Sequence, residues 1–243
     1  MEIAGLLSAA LAYGRVQQIE KSLERLFAKM GDRPSEFVRN FNASKRNKLA
    51  DFKHRFNSGD DISDLLELLQ EVMGKFGSIE NFFAIGCSKN DINIANALSK
   101  FCSSLLAMHA DRNAGKINKG FKYLLSSPAN GSACKRLNLF LRWMVREDDV
   151  DTGLWKSVDK CKLVIPMDVH MGRLTKILGF HNRKNIGFNT AVAVTERFAR
   201  IEPSDPVKYD FALSRVGIIE NCSGQFGSDC CRCELLGFCQ EQT

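Results

Sequence analysis

The stretch SDLLELLQEVMGKFGSIENFF, residues 63–83, has the hydrophobic period of an amphipathic helix. Its apolar side chains recur three and four positions apart, which places them on one face of a helix. The residues expected to face a core are Leu65, Leu66, Leu69, Val72 and Met73. Ser63 stands directly before this run and is expected to cap the helix N-terminus. The stretch therefore predicts a core helix.

The same helical period recurs along almost the whole chain. It is found in residues 15–30, 90–110, 130–146 and 166–180. Clear runs of alternating polar and apolar residues, which would indicate strands, do not occur, and neither do repeats or low-complexity segments. The sequence therefore predicts an all-α protein.

The composition is that of a folded protein, with 44% hydrophobic and 26% charged residues among 243. The longest apolar runs, such as residues 3–12, are far shorter than the roughly 20 residues that cross a bilayer. The N-terminus also lacks the basic start of a signal peptide, so we expect a cytoplasmic protein. A formal net charge of +6 suits a polyanionic partner, although many basic proteins bind none.

Five of the nine cysteines lie within residues 222–239. Because disulfides are rare in the cytoplasm, such a cluster indicates metal or redox chemistry. Four of them follow the pattern Cys222–x7–Cys230–x2–Cys233–x5–Cys239, and Cys231 is left over. Four thiolates in one short loop can hold zinc or an iron–sulfur cluster. One pair two residues apart, flanked by single cysteines, is closer to a cluster-binding loop than to the paired hooks of a zinc site.

This cysteine loop resembles the iron–sulfur loop that ends endonuclease III and the adenine-specific mismatch glycosylases. The second and third gaps match that loop, and the first gap is one residue longer here. The resemblance implies a 4Fe–4S cluster, with zinc as the alternative. Cys230 rather than Cys231 is the expected ligand, because it alone keeps the two-residue gap to Cys233.

A second resemblance to these enzymes lies some fifty residues upstream, in VIPMDVHMGRLTKILGF, residues 164–180. It is similar to a family segment with an Asp, a His two residues later and an early Arg in the following helix. The resemblance implies that Asp168 is the catalytic carboxylate, and it places His170 and Arg173 beside it. Asp168 is also an ordinary helix N-cap in this pattern, and the two roles are compatible. A third segment, EIAGLLSAALAYGR at residues 2–15, resembles the early helix from which these enzymes wedge a side chain into the duplex.

Together these segments resemble the helix-hairpin-helix DNA glycosylase superfamily, which implies a two-lobed helical fold. Residues 1–165 would form a glycosylase-like domain, and residues 166–243 would form a C-terminal domain with the cluster loop 222–239. The chain departs from the superfamily in two ways. It lacks the Leu-Pro-Gly-x-Gly hairpin turn that grips phosphate, and no lysine stands at the usual position a little under twenty residues before the Asp.

The archaeal 8-oxoguanine glycosylases depart from the standard hairpin too, and they place their lysine a little over thirty residues before the Asp. Lys135, in GSACKRLNLFLRWMVR at residues 131–146, lies thirty-three residues before Asp168. These segments are most similar to an uncharacterised bacterial family of the superfamily. With Ser132 as the expected N-cap, Lys135 falls in the first helical turn. There the positive end of the helix dipole and the neighbouring Arg136 favour the neutral amine that a Schiff base requires.

The resemblance therefore implies a DNA repair enzyme of base excision repair, a glycosylase with AP-lyase activity. Lys135 and Asp168 would be catalytic, and 8-oxoguanine would be the damaged base. We expect a monomer associated with the nucleoid and bound to lesion-bearing double-stranded DNA. The side chains expected to contact DNA are Tyr13, Arg15, Arg136, His170 and Arg173, with Trp143 or Trp155 either stacked on a base or buried.

Two other functions fit the same residues. One is a non-catalytic DNA-binding or scaffold protein that keeps the glycosylase fold and the metal loop. The other is a helical interaction module stabilised by zinc. The charged window at residues 44–56 is expected to be a solvated face, with contact to phosphate as the alternative.

Overall fold

Amphipathic helices joined by loops build the molecule, as the hydrophobic period predicts. The computed structural model describes residues 1–219 and 222–239, apart from the side chain of Asp229. Helices account for 59% of the chain, and the protein is all-α. The twelve α-helices of the described residues are α1 (Glu2–Ala10), α2 (Val16–Met30), α3 (Pro34–Arg39), α4 (Ala43–Leu49), α5 (Gly59–Phe76), α6 (Ile79–Ala84), α7 (Ala95–Arg112), α8 (Lys119–Leu124), α9 (Lys135–Val145), α10 (Val169–Ile177), α11 (Phe188–Ala199) and α12 (Asp210–Ile219).

A single short hairpin supplies the two β-strands within the described ranges. Its strands are β1 (Lys53–His54) and β2 (Asn57–Ser58), which pair antiparallel. No helix in residues 1–219 or 222–239 is both long and apolar enough to cross a membrane.

Helix α5 lies at the centre of the N-terminal part and contacts α3, α4, α6, α7 and α8. All five residues expected to face the core from this helix are buried. The expected N-cap is wrong, because the helix begins four residues before Ser63. Ser58 caps it instead, in a capping box in which Ser58 and Asp61 each bind the other's main-chain amide. This reciprocal bonding satisfies two amides at once, so it fixes the helix start one turn earlier.

The N-terminal helix α1 packs against α9, far along the chain. Its residues Ile3, Leu6 and Leu7 are fully buried, and each such side chain stabilises the fold by about 1.5–3 kcal/mol. Gly5 permits the close approach, since a Cβ atom there would lie 2.9 Å from the Met144 Cε atom. This contact fixes the position of α9.

A buried charge cluster fastens the C-terminal end of α9 to the start of α12. The Arg142 guanidinium lies 2.8 Å from a carboxylate oxygen of Asp210 and 3.2 Å from one of Asp151. The Arg146 guanidinium contacts Asp151 and lies 3.0 Å from Asp205. Their side chains are at most 9% exposed, so removing one partner would leave a buried charge uncompensated.

Candidate active site

The structure brings Lys135 and Asp168 together. The Lys135 Nζ atom lies 3.2 Å from the Asp168 Oδ2 atom, although thirty-three residues separate them. The Lys135 side chain is 39% exposed and that of Asp168 is 20% exposed. The pair therefore lies at the surface, where a large substrate can reach both groups.

Asp168 is the N-cap of α10, as the sequence predicts. Its Oδ1 atom accepts a hydrogen bond from the Met171 amide at 2.8 Å. The preceding segment, residues 163–167, is buried, and the Ile165 amide donates to the Thr195 hydroxyl at 3.0 Å. One carboxylate oxygen is thus held by the helix end, and the other faces the lysine.

Lys135 is the first residue of α9, so the expected cap at Ser132 is wrong. Cys134 is the N-cap, with a left-handed φ of 50°, and it makes no side-chain capping bond within the described residues. The Ser132 hydroxyl instead accepts from the Cys134 amide at 3.2 Å. Lys135 nevertheless lies in the first turn, where the helix dipole acts on it.

The N-terminus of a third helix, α11, lies next to α9 and α10, the helices at whose starts Lys135 and Asp168 lie. Gly187, the N-cap of α11, forms an antiparallel bridge with Ser132, and the Phe188 amide donates to the Gly131 carbonyl. A Cβ atom at Gly187 would lie only 2.8 Å from that carbonyl, so glycine permits the approach. Helix N-termini carry partial positive charge, and their convergence favours a bound anion such as phosphate.

His170 and Arg173 follow Asp168 on α10. The Arg173 Nη2 atom lies 3.3 Å from the His170 Nδ1 atom. The Arg173 Nε atom is buried, and no hydrogen-bond partner for it exists among the described residues. A Cβ atom at Gly224 would lie 2.9 Å from the Arg173 Cδ atom, so the start of the cysteine loop packs on this arginine.

Arg136 points into the protein, which removes the basis for its expected contact with DNA. It is 8% exposed, and its guanidinium donates to the carbonyls of Ala10, at 2.5 Å, and of Tyr123. It also lies over the rings of Tyr13 and Tyr123. We therefore assign Arg136 a structural role, in which it joins α9 to the end of α1.

Tyr13 is also held internally, whereas Arg15 is exposed. The Tyr13 hydroxyl donates to the His54 carbonyl at 2.9 Å and lies 2.6 Å from the Asn57 side-chain oxygen. Arg15 lines an open basic groove between α2 and the β1–β2 hairpin. Trp155 is 1% exposed and belongs to the core, which excludes it as a base-stacking residue.

The cysteine loop has the donors for a metal centre but does not gather them. Among residues 1–219 and 222–239, no three His, Cys, Asp or Glu side chains are arranged to hold a metal ion. Cys231 is exposed, whereas the four expected ligands are partly buried, namely Cys222, Cys230, Cys233 and Cys239. The four expected ligands supply the type and number of donors that a four-thiolate centre needs, although the described residues do not bring three of them together.

The two adjacent cysteines have opposite hydrogen-bond partners. The Gly227 amide donates to the Cys230 sulfur at 3.3 Å, while the Cys231 thiol donates to the Ser228 carbonyl at 3.0 Å. Metal-bound thiolates accept hydrogen bonds from amides, whereas a thiol that donates to a carbonyl keeps its proton. The geometry thus favours Cys230 over Cys231 as the ligand.

The chain belongs to DUF2400, a protein family of unknown function, whose model matches residues 1–219. The cysteine loop starts at Cys222, after the matched residues. Neither a curated protein nor a solved structure matches the chain. The family carries no activity with it, and the function has to be argued from the site.

Proposed function

We propose that this protein is a DNA glycosylase with AP-lyase activity, in which Lys135 is the nucleophile and Asp168 the carboxylate. The observation that carries the proposal is the 3.2 Å distance between Lys135 Nζ and Asp168 Oδ2 at a solvent-accessible position. A nucleophile within hydrogen-bond reach of a carboxylate is the arrangement that activates an amine. The proposal includes a two-lobed glycosylase-like fold around this pair.

The chemistry starts with a damaged base turned out of the duplex. Asp168 accepts a proton from the Lys135 ammonium and releases it to solvent, and the neutral amine then attacks the sugar C1′ atom beside the restored carboxylate. The C1′–N bond to the base breaks, its electron pair leaves with the base, and the base takes up a proton. Ring opening then gives an imine between Lys135 and C1′, and β-elimination breaks the strand on the 3′ side.

Asp168 has a second role in this scheme. Positive charge develops on the sugar while the bond to the base breaks, and a fixed carboxylate lowers the energy of that state. The hydrogen bond from the Met171 amide holds the Asp168 carboxylate in place without neutralising it. The same side chain thus orients the amine and stabilises the cationic sugar.

The converging helix ends offer an alternative to the missing hairpin turn. The starts of α9 and α11 lie side by side, joined by the bridge between Ser132 and Gly187. Such ends bind phosphate through amide donors and the helix dipole. We propose that they hold the DNA backbone beside the reacting sugar.

In this proposal, four cysteines hold a 4Fe–4S cluster, with zinc as the alternative. When bound, the cluster cross-links the loop. The loop's contact at Gly224 supports Arg173, and Arg232 lies exposed where it can meet phosphate. The hydrogen bond that the Gly227 amide donates to the Cys230 sulfur supports the choice of Cys230 as a ligand.

The proposed substrate is 8-oxoguanine in duplex DNA, because the position of Lys135 resembles that in archaeal enzymes that remove this base. Borohydride trapping tests both the chemistry and the substrate. The protein is incubated with duplexes that carry 8-oxoguanine, oxidised pyrimidines or an abasic site, and a covalent complex is expected with 8-oxoguanine.

Lys135→Gln should abolish trapping and retain binding, because only the amine forms an imine. An exposed ion pair contributes about 1 kcal/mol or less to stability, so the variant remains folded. Asp168→Asn keeps the cap and removes the charge, and it should slow base release by orders of magnitude, because each ~1.4 kcal/mol of lost transition-state stabilisation is tenfold in rate. Lys156→Gln is the matched control, since Lys156 pairs with Glu147 at the surface.

Each outcome separates the enzyme from its alternatives. Trapping that survives Lys135→Gln would move the nucleophile to another lysine. A wild-type protein that binds lesion duplexes and neither traps nor releases a base from the whole panel would be the non-catalytic DNA-binding protein. A colourless protein with stoichiometric zinc and no affinity for DNA would be an interaction module.

A further inference from the structure

The β1–β2 hairpin carries an exposed aromatic side chain at its tip. The register pairs Lys53 with Ser58 and His54 with Asn57, so Arg55 and Phe56 are the two turn residues. Phe56 is 62% exposed. Exposure of an aromatic ring to water is unfavourable, so burial of Phe56 against a ligand would lower the free energy.

Hydrogen bonds to the rest of the protein fix the base of the hairpin, although Phe56 at its tip is exposed. His54 is buried, its Nε2 atom donating to the Tyr13 carbonyl at 3.1 Å and its Nδ1 atom accepting from the Ser22 hydroxyl at 2.9 Å. Burial lowers the pKa of His54, which favours the neutral ring that this pattern requires. The Asn57 amide group donates to the Gly120 carbonyl at 2.7 Å. The tip is therefore held rigidly from both strands.

The turn also keeps a strained conformation. Arg55 has a positive φ of 50°, a region that two-residue hairpins usually fill with glycine or asparagine. A residue with a Cβ atom costs stability in this conformation, and such strain tends to persist at functional positions. The Arg55 guanidinium lies 5.5 Å from the centre of the Phe56 ring.

A basic groove lies beside the tip. It has a volume of about 780 Å³, and its lining includes five cations and one carboxylate, that of Glu24. The cations are Arg15, Lys21, Arg25, Lys53 and Arg55. None of them forms a salt bridge with a carboxylate in the part of the chain that the structure describes. Cations that have no carboxylate partner along a groove suit a chain of phosphates.

Aromatic contacts join this surface to the helix that carries Lys135. The rings of Phe56 and Tyr123 are 5.3 Å apart, and Arg136 lies 4.6 Å from the centre of the Tyr123 ring. Arg136 directly follows Lys135 at the start of α9. The hairpin tip therefore occupies a fixed position relative to the proposed active site.

We propose that Phe56 is a wedge that stacks on a DNA base where the duplex is opened, while the basic groove holds the backbone of the same strand. The inference rests on the proposed function, since it needs DNA as the partner. It assigns the wedge to the hairpin rather than to the end of α1, where Tyr13 is engaged inside the protein. Aromatic stacking and a basic groove are the two elements that hold unpaired nucleotides.

The test measures binding to a duplex with a tetrahydrofuran abasic analogue by fluorescence anisotropy. Phe56→Ala should weaken this binding about 5- to 150-fold, the range for loss of one base–aromatic stack. The slope of log affinity against log salt should stay unchanged, because no phosphate contact is lost. Lys21→Gln, at an exposed cation of the groove, should instead lower that slope by about one phosphate contact.

Two further variants control the result. Phe56→Trp should keep the affinity, and its emission should be quenched on binding. Ile92→Ala removes a side chain that is 89% exposed and should leave the affinity unchanged. Equal binding by Phe56→Ala and wild type would refute the wedge and leave the glycosylase proposal standing. A wild type that binds no DNA would refute both.

Discussion

The buried carboxyl of Asp210 makes the stability of the protein depend on pH. Burial raises the pKa of Asp210 to about 7, against the opposing charge of Arg142. Two further charges act on Asp210. Arg146 lowers the pKa of this carboxyl, and Asp151 raises it. In the unfolded chain the same carboxyl loses its proton near pH ~3.9. Between these two values the folded state therefore holds a proton that the unfolded state releases.

The sign of the effect follows from this difference. The contribution of Asp210 to stability is fully present below pH ~4 and is lost as the pH rises towards 7. Between pH 5 and pH 7 the loss amounts to about 2 kcal/mol. Asp210→Asn resembles the protonated carboxyl and does not titrate. The wild type should therefore lose about 2 kcal/mol more than the variant over this interval.

Urea unfolding of both proteins at pH 5 and pH 7 measures the difference. Asp149→Asn changes an exposed carboxyl in the neighbouring loop and should follow the wild type within about 0.5 kcal/mol. The same loss of unfolding free energy in wild type and Asp210→Asn would refute the reasoning. It would mean that Asp210 stays ionised in its pair with Arg142 throughout this range.

Two further predictions concern the metal loop and the partner. Protein made with sufficient iron and without oxygen should be yellow-brown with a 4Fe–4S cluster, and Cys231→Ser should keep its visible absorbance and iron content. The absorbance should be lost on serine substitution at each ligand position, Cys222, Cys230, Cys233 and Cys239. If DNA is the partner, affinity for duplex should fall steeply with salt, with a slope of about −0.9 for each phosphate neutralised. A flat response between low and moderate salt would argue against DNA.

The helical fold could be predicted because burial repeats along the chain with the period of a helix. The exact residue at which each helix starts could not be predicted, because several polar residues near that position can cap the helix. Ser63 and Ser132 have the local chemistry of caps, yet the caps are Ser58 and Cys134. Ser58 is favoured by its reciprocal bonds with Asp61, and the path of residues 131–134 is set by pairing with Gly187.

In the candidate site, too, some features could be predicted from the sequence and others could not. The cap at Asp168 was predictable because it depends on residues adjacent in sequence. The burial of Arg136 was not, since its partners are carbonyl groups of Ala10 and Tyr123 that only the folded chain brings near. The exposure of Phe56 depends on a two-residue turn, and the charged window 44–56 contains no Asn-Gly or Asp-Gly signal for one.

Helix α9 shows why the position of Lys135 is well determined even though its side chain is exposed. The residue after it, Arg136, is bound by main-chain carbonyls, and the body of the helix packs on α1. At the other end, Arg142 and Arg146 are held by buried carboxylates. Because the main chain that carries it is already ordered, only the Lys135 side chain loses freedom when its amine meets a carboxylate or a sugar carbon. A fixed helix with a reachable lysine at its first residue is the arrangement that a covalent mechanism needs, and a surface ion pair alone would not require it.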